Sequence, residues 1–454
     1  MFLLFLFFWL FLLLFFVVKR KKTVTKPWFW MAMGWMLIFG LYLTSGINYN
    51  NKPSLFTLLY FFTFLLLFAF GCRLGSRRLR KKKKLLNSGY RLAKESPFYD
   101  TIFLLLFIAE TVSFFVFVVD FGFYNSFTSA SHTESRLDKI GVIAEIVCLS
   151  GILYWLRSLF VSISKGHRID IKGFFALFYY LLPGLVISGR QSILLVIVST
   201  IVCFCFAASI RKPIKRTKSQ IKRRNRKIII LGIIGGVLFA GYCALVAGNR
   251  EASVNKIELF EYMFSCTYSN STKSILSNCG SFETFILETI SYYSHEISQL
   301  QLVFSNWDGS YYFGASQFQL ISSNLPESSF FYVGNIQTKL DSISLNNSSY
   351  SHVWRTMVSN CFIDFGFAGG LIFIFVLGYL SGKVFEYAIV NKSSLGVILL
   401  SLICSGSFFA IQYSPFVENY WYFPIIFLFL IAIANRFISK KTKSVSQKMR
   451  RGLT

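Results

Sequence analysis

The feature that most constrains this chain is the clustering of its apolar residues. They come in long unbroken blocks rather than at the spacing of an amphipathic helix or strand, and Phe98–Val119 is one of them. Blocks of roughly 17–25 residues match a helix crossing a hydrocarbon core of about 30 Å. In lipid the backbone must satisfy its own hydrogen bonds, so such blocks are helices. A closed barrel needs short alternating segments, which are not seen here. Only 15% of the residues are charged, against about a quarter in soluble domains. The chain therefore reads as an all-α polytopic membrane protein.

Eleven blocks are expected to span, within a range of ten to twelve: 1–18, 28–46, 54–72, 98–121, 139–160, 173–188, 191–210, 228–248, 366–382, 395–411 and 422–437. Met1–Val18 lacks the basic start and small-residue cleavage site of a signal peptide, so it counts as a span. The two blocks 173–188 and 191–210 are nearly contiguous and read as a tight hairpin or a re-entrant pair.

A net charge of +27 would suit nucleic acid, but its distribution argues otherwise. Lys19, Arg20, Lys21 and Lys22 would hold the end of the first span in the cytoplasm. Alternating from there, the inside segments are 19–27, 72–97, 157–172, 211–227, 383–394 and the tail from Arg436. Only nine of the 47 basic residues then fall outside: Lys52, Arg136, Lys139, Arg190, Arg250, Lys256, Lys273, Lys339 and Arg355. That asymmetry is the positive-inside pattern. It orients the chain in an inner membrane, with membrane lipids rather than nucleic acid as partners of the basic loops.

Four regions follow: a transmembrane bundle over 1–248, a large periplasmic loop over 249–365, further transmembrane helices over 366–437 and a basic cytoplasmic tail over 438–454. The loop is long enough to carry function, and it is acidic. Phe282, Phe285, Ile286, Ile290, Tyr293, Ile297, Leu300 and Phe304 keep a 3.6-residue stripe, which predicts a helix lying on the membrane face or on the bundle. Asn270–Ser281 and Asp341–Ser351 read as surface loops from their Asn and Ser content. Cys266 and Cys279 lie in that loop, where an oxidising compartment allows a disulfide between them. No Cys/His spacing suits zinc, and neither a metal nor another cofactor is expected.

The charges that topology does not explain point at a site. Arg190, Arg250 and Arg355 stand at span ends on the outer side. Guanidinium groups bind phosphate oxygens in pairs, so these three would suit a lipid-linked pyrophosphate; snorkelling to headgroups is the plainer alternative. Asp364 reads first as an N-terminal helix cap. Of the four histidines, His352, three residues from Arg355, is the best-placed base, and His295, beside Tyr292, Tyr293 and Glu296, is second. Glu110 and Glu145 sit inside spans, where a charge is costly, and would face the protein interior. There is no P-loop or dinucleotide fingerprint, so the energy must come from an activated substrate or an ion gradient.

The segment His352-Val353-Trp354-Arg355-Thr356, followed by Asp364-Phe365-Gly366-Phe367-Ala368-Gly369-Gly370, resembles the signature of bacterial O-antigen polymerases (Wzy-type), the oligosaccharide repeat unit polymerases. Ser188-Gly189-Arg190 before a Leu/Ile/Val-rich span is similar to a second feature of that family, and Gly314 with Phe318 to a third. The likeness runs from about residue 180 to 380. His352 and Trp354 stand where the family often has Asn or Tyr, and the family often has twelve spans.

The resemblance implies a metal-independent glycosyltransferase at the periplasmic face that joins undecaprenyl-pyrophosphate-linked repeat units into O-antigen or a similar surface polysaccharide. His352, Glu251 and Asp364 are its candidate catalytic residues. Arg190, Arg250, Arg355, Tyr292 and Trp354 are its candidate substrate contacts, the arginines facing the leaving diphosphate. A chain-length regulator protein is the further partner it suggests. An O-antigen ligase would use the same donor with another acceptor. A lipid-linked oligosaccharide flippase is the rival from another class; it predicts interior charges and an internal repeat, and no repeat is found.

Overall fold

The structure, a computed structural model, describes residues 24–77, 97–121, 139–186, 191–210, 241, 256–307, 309–329, 331–332, 334 and 355–451. Helices dominate it: α1 Pro27–Thr44, α2 Leu55–Gly75, α3 Pro97–Phe121, α4 Lys139–Cys148, α5 Gly151–Lys165, α6 Ile171–Val186, α7 Gln191–Ile210, α8 Lys256–Met263, α9 Asn270–Ser277, α10 Glu283–Asn306, α11 Met357–Asn391, α12 Ser394–Phe409 and α13 Asn419–Arg451. Among the described residues, seven helical segments are long and apolar enough to cross a membrane, α4 and α5 counting as one, while α6 and α12 are shorter apolar helices. All nine expected spans within the described residues are helical. The blocks 1–18 and 228–248 lie outside them, Gly241 excepted.

The surface supports a lipid environment. On α3, Leu105, Phe115 and Val119 point outward, Val119 being 82% exposed. Such a stripe would be an aggregation hazard in water but is the natural lipid-facing surface of a span. Two apolar cores lie inside. One joins α5, α6, α7, α12 and α13 through Leu156, Tyr180, Val202, Leu402 and Leu428. The other joins α1, α2, α10 and α11 through Trp35, Phe61, Leu300, Val303 and Ile363.

Four glycines let two spans touch backbone to backbone. A Cβ at Gly71 or Gly75 of α2 would collide with the carbonyls of Phe375 or Tyr379 on α11. One at Gly378 or Gly382 would collide with those of Phe68 or Cys72 on α2. This reciprocal small-xxx-small seam is a standard device for helix association in lipid.

The stripe over 282–304 forms the helix α10, which packs on the bundle through Ile297, Leu300 and Val303. It is tied down by a feature the all-α reading lacked. β1, Ile47–Tyr49 in the α1–α2 connection, pairs antiparallel with β2, Cys266–Tyr268, with Asn48 opposite Thr267. Ser298 Oγ donates to the Asn51 carbonyl (2.6 Å), and Thr57 Oγ1 donates to Gln301 Oε1 (2.6 Å).

Three local expectations are corrected. Asn270–Ser277, read as a loop, is helical because the Ser269 hydroxyl caps it by accepting from Thr272 N–H, and Leu276 buries against β1 and β2. Cys266 and Cys279 are both free thiols, Cys266 buried in its strand and Cys279 donating to the Ile275 carbonyl at 3.2 Å. The helix expected from residue 366 begins at Met357, capped by the Thr356 hydroxyl. Gly366, with φ 68°, breaks it into two parts. Asp341–Ser351 lies outside the described residues.

Candidate functional site

Three segments meet at the end of the bundle that α10 covers: the turn 311–318, the first half of α11 and the connection 410–418. Phe313 and Gly314 both adopt left-handed backbone (φ 49° and 95°). The consecutive N–H groups that follow point one way, as in an anion-binding nest. The Asp364 carboxylate fills it, Oδ1 accepting from Ser316 N–H and Oδ2 from Gln317 N–H, both at 3.0 Å. The Phe313 N–H returns the contact to the Asp364 carbonyl (2.9 Å). The ring of Tyr311 lies over Gly366, where any side chain would clash.

Asp364 therefore caps a distant turn rather than its own helix, and it is fully buried with both oxygens engaged. That geometry gives it a positioning role. Gln317 extends the knot. Its Nε2 donates to the Met357 carbonyl (3.4 Å) and the Cys361 sulfur (3.1 Å), and its Oε1 accepts from Ser414 Oγ. Met357 N–H donates to the Ala410 carbonyl (3.1 Å), which closes the ring of segments.

On α10 and in the connection before α13 lie polar groups with no opposite charge beside them among the described residues. His295 on α10 is buried between the rings of Tyr49 and Phe264, at 5.8 Å and 5.0 Å, and its Nδ1 has no hydrogen-bond partner among the described residues. Burial holds its imidazole down to about 3, so it is neutral. Glu296 is buried beside it with Oε2 unpartnered, and burial raises its carboxyl well above the ordinary range.

The third such group is Glu418. It precedes α13, stays partly accessible, and lies within electrostatic reach of Tyr413, Tyr180 and Tyr422. Tyr413 in turn is within reach of Tyr293 on α10, so the cluster sits beneath that helix. Burial pushes the Glu418 carboxyl up to about 7. Its side chain makes no hydrogen bond among the described residues, while its backbone carbonyl receives Trp421 N–H (3.0 Å) and Tyr422 N–H (3.1 Å). A carboxyl near neutrality and partly open can take a proton from a sugar hydroxyl. Sequence reading passed over it. The available signal was Pro415-Phe416-Val417-Glu418-Asn419-Tyr420-Trp421-Tyr422, one acid in an aromatic-rich connection between two spans.

The candidates from sequence distribute unevenly. Asp364 lies in the first half of α11, and Arg355 directly precedes the Thr356 cap of that helix and is half-buried. Tyr292 lies elsewhere, edge-on to Phe264 (5.1 Å) and Phe260 (6.4 Å) in the small core around the β ribbon. His352, Trp354, Glu251, Arg190 and Arg250 lie outside the described residues. No group of His, Cys, Asp and Glu side chains with the makings of a metal site occurs among the described residues.

No protein-family model, curated protein or solved structure matches this chain.

Proposed function

We propose that the chain is an inner-membrane polymerase that joins undecaprenyl-pyrophosphate-linked oligosaccharide repeat units, working at the end that α10 covers and facing the periplasm. The observation that carries this reading is Glu418, a partly accessible carboxyl held near neutrality by burial within electrostatic reach of three tyrosines, in the connection that Ser414 ties to the knot built on Asp364. The resemblance of the Asp364-Phe365-Gly366 segment to polymerase signatures supports it independently.

In this reading the acceptor's sugar hydroxyl attacks the anomeric carbon of the growing chain. The bond from that carbon to the diphosphate oxygen breaks, and the carrier diphosphate leaves with the bonding electrons. The hydroxyl proton passes to Glu418, which takes the role expected of His352 or Glu251. Arg355, with Arg190 and Arg250, stabilises the charge developing on the departing diphosphate. Asp364 holds the turn 311–318 and so orients the exposed Tyr311, which offers a flat face to a sugar ring, while Tyr312 anchors the turn in the core.

Deleting the gene and separating surface polysaccharide on a gel tests the reading. Loss of the long-chain ladder with a single-unit band retained supports polymerisation. Loss of both points to the ligase or flippase. The flippase draws on one observation, Glu110: fully buried between α3 and the α4–α5 junction, it accepts from Ser150 Oγ (2.9 Å) while its second oxygen has no partner among the described residues. A Glu110→Gln variant that keeps a normal ladder removes that reading.

A further inference from the structure

At the opposite end of the bundle, where α3 begins and α5 and α11 end, a cavity of about 620 Å³ opens. Four cations and two carboxylates line it. Arg157 is the deepest, its Nη2 paired with Asp100 Oδ1 at 2.5 Å and its guanidinium 4.7 Å above the Phe103 ring. Asp170 is also engaged, with Oδ1 accepting from Lys172 N–H (3.2 Å) and Oδ2 from the Tyr154 hydroxyl (3.4 Å). Both acids are thus occupied. The ammonium groups of Lys165 and Lys172 make no ion pair among the described residues. Ser158 Oγ, buried in the wall against Gly173, also lacks a hydrogen-bond partner.

The fourth cation is held at a conformational cost. Lys392 ends α11 in left-handed backbone (φ 49°, ψ 34°), where glycine is the usual choice and a side chain is disfavoured. The strained position delivers an ammonium to the cavity rim. The rim is not polar all round. Leu104 lines the cavity and faces the lipid side, 42% exposed, so the opening borders the expected hydrocarbon surface.

We propose that this cavity binds a phosphate group, held by Lys165, Lys172 and Lys392 above the Arg157–Asp100 pair. Four cations against two engaged acids, with the ammoniums of Lys165 and Lys172 unpaired among the described residues, call for an anion with several acceptor oxygens, and phosphate is the match. The volume exceeds that of inorganic phosphate and suits a headgroup or a phosphorylated small molecule. Leu104 at the rim favours the headgroup of an anionic phospholipid, whose chains would run down α3. None of this rests on the polymerase reading.

The test uses the full chain in zwitterionic detergent, with the exposed lysines changed together (Lys165→Gln with Lys172→Gln) and Lys273→Gln at the other end as control. Native mass spectrometry follows retention of phosphatidylglycerol against phosphatidylcholine, and thermal unfolding is followed with millimolar inorganic phosphate. The expected result is phosphatidylglycerol retained by wild type and control, with affinity about tenfold or more lower in the double variant. Stabilisation by inorganic phosphate that the double variant loses, without lipid retention, supports the same site with a soluble phosphate as its ligand. Equal behaviour of wild type and double variant toward both probes overturns the proposal.

Discussion

The two ends of this bundle handle charge in opposite ways. At the end with the cavity, the acids are satisfied: Asp100 by Arg157, Asp170 by Tyr154 and a backbone amide, Glu386 by Lys383 at 3.4 Å. Cations are left over, as the concentration of Lys and Arg in those loops would lead one to expect. At the end under α10, Glu261 pairs with Lys273 at 2.8 Å near the surface. His295, Glu296 and Glu418 are buried wholly or in part with no opposite charge beside them among the described residues. Buried groups without partners are costly, and such cost tends to collect where chemistry is done. The difference separates an end that can hold an anion from an end that can move a proton.

Breaking the proton-moving end should give the largest effect. Replacing Glu418 by Gln should lower polymerisation about a hundredfold or more, measured as ladder formation in cells or as linkage rate in vesicles, with membrane insertion unchanged. In the wild type the carboxyl at about 7 should make the rate rise with pH through that value and level off above it. A rate flat from pH 6 to 8 would remove Glu418 as the base.

Loosening the knot comes next. Asp364→Ala strips the Ser316 and Gln317 amides of their acceptor and should destabilise the purified protein by about 3 kcal/mol in thermal or denaturant unfolding. Asp364→Asn should recover part of it, since one amide oxygen remains.

His295 sharpens the contrast through pH. Its folded value of about 3 lies below the unfolded value of 6.5, so between those limits the unfolded chain binds the extra proton. The stability from the neutral buried imidazole is therefore present above pH 6.5 and is lost as pH falls toward 3. From pH 7 to pH 5 the loss amounts to about 2 kcal/mol. The wild type should lose that much more stability over this interval than a His295→Gln variant. Equal losses would show that His295 is protonated in the folded protein. Glu296 acts oppositely, its raised value favouring the fold at lower pH, and both proteins share it.

The smallest effect belongs to the other end. Asp100 is 78% exposed in its pair with Arg157, so Asp100→Asn should cost less than about 1 kcal/mol. A larger loss in unfolding measurements would mean that the pair, and not the apolar core beside it, anchors the start of α3.

The parts of the fold that follow from local composition were readable in the chain. The spans show as apolar blocks, and α10 shows as a stripe from Phe285 to Phe304 because one face packs on the bundle. α9 escaped because Asn and Ser dominate Asn270–Ser277, while the cap from Ser269 and the burial of Leu276 depend on β1 more than two hundred residues earlier. For the same reason the β ribbon has no signal, each strand being three residues long. The Asp364 motif was visible as a motif, but its partner turn at Phe313–Gln317 was not. Glu418 becomes notable only once α6 and α10 bring Tyr180 and Tyr293 to the tyrosines of its own connection.

The most direct measurement supplies the purified chain, reconstituted in vesicles, with lipid-linked repeat units, and counts linkages formed against carrier diphosphate released. The expected result is a glycan ladder with one carrier diphosphate released per linkage, and no ladder from the Glu418→Gln protein. Intact lipid-linked units recovered from the wild-type vesicles without a ladder, or a ladder equally strong with Glu418→Gln, would contradict it.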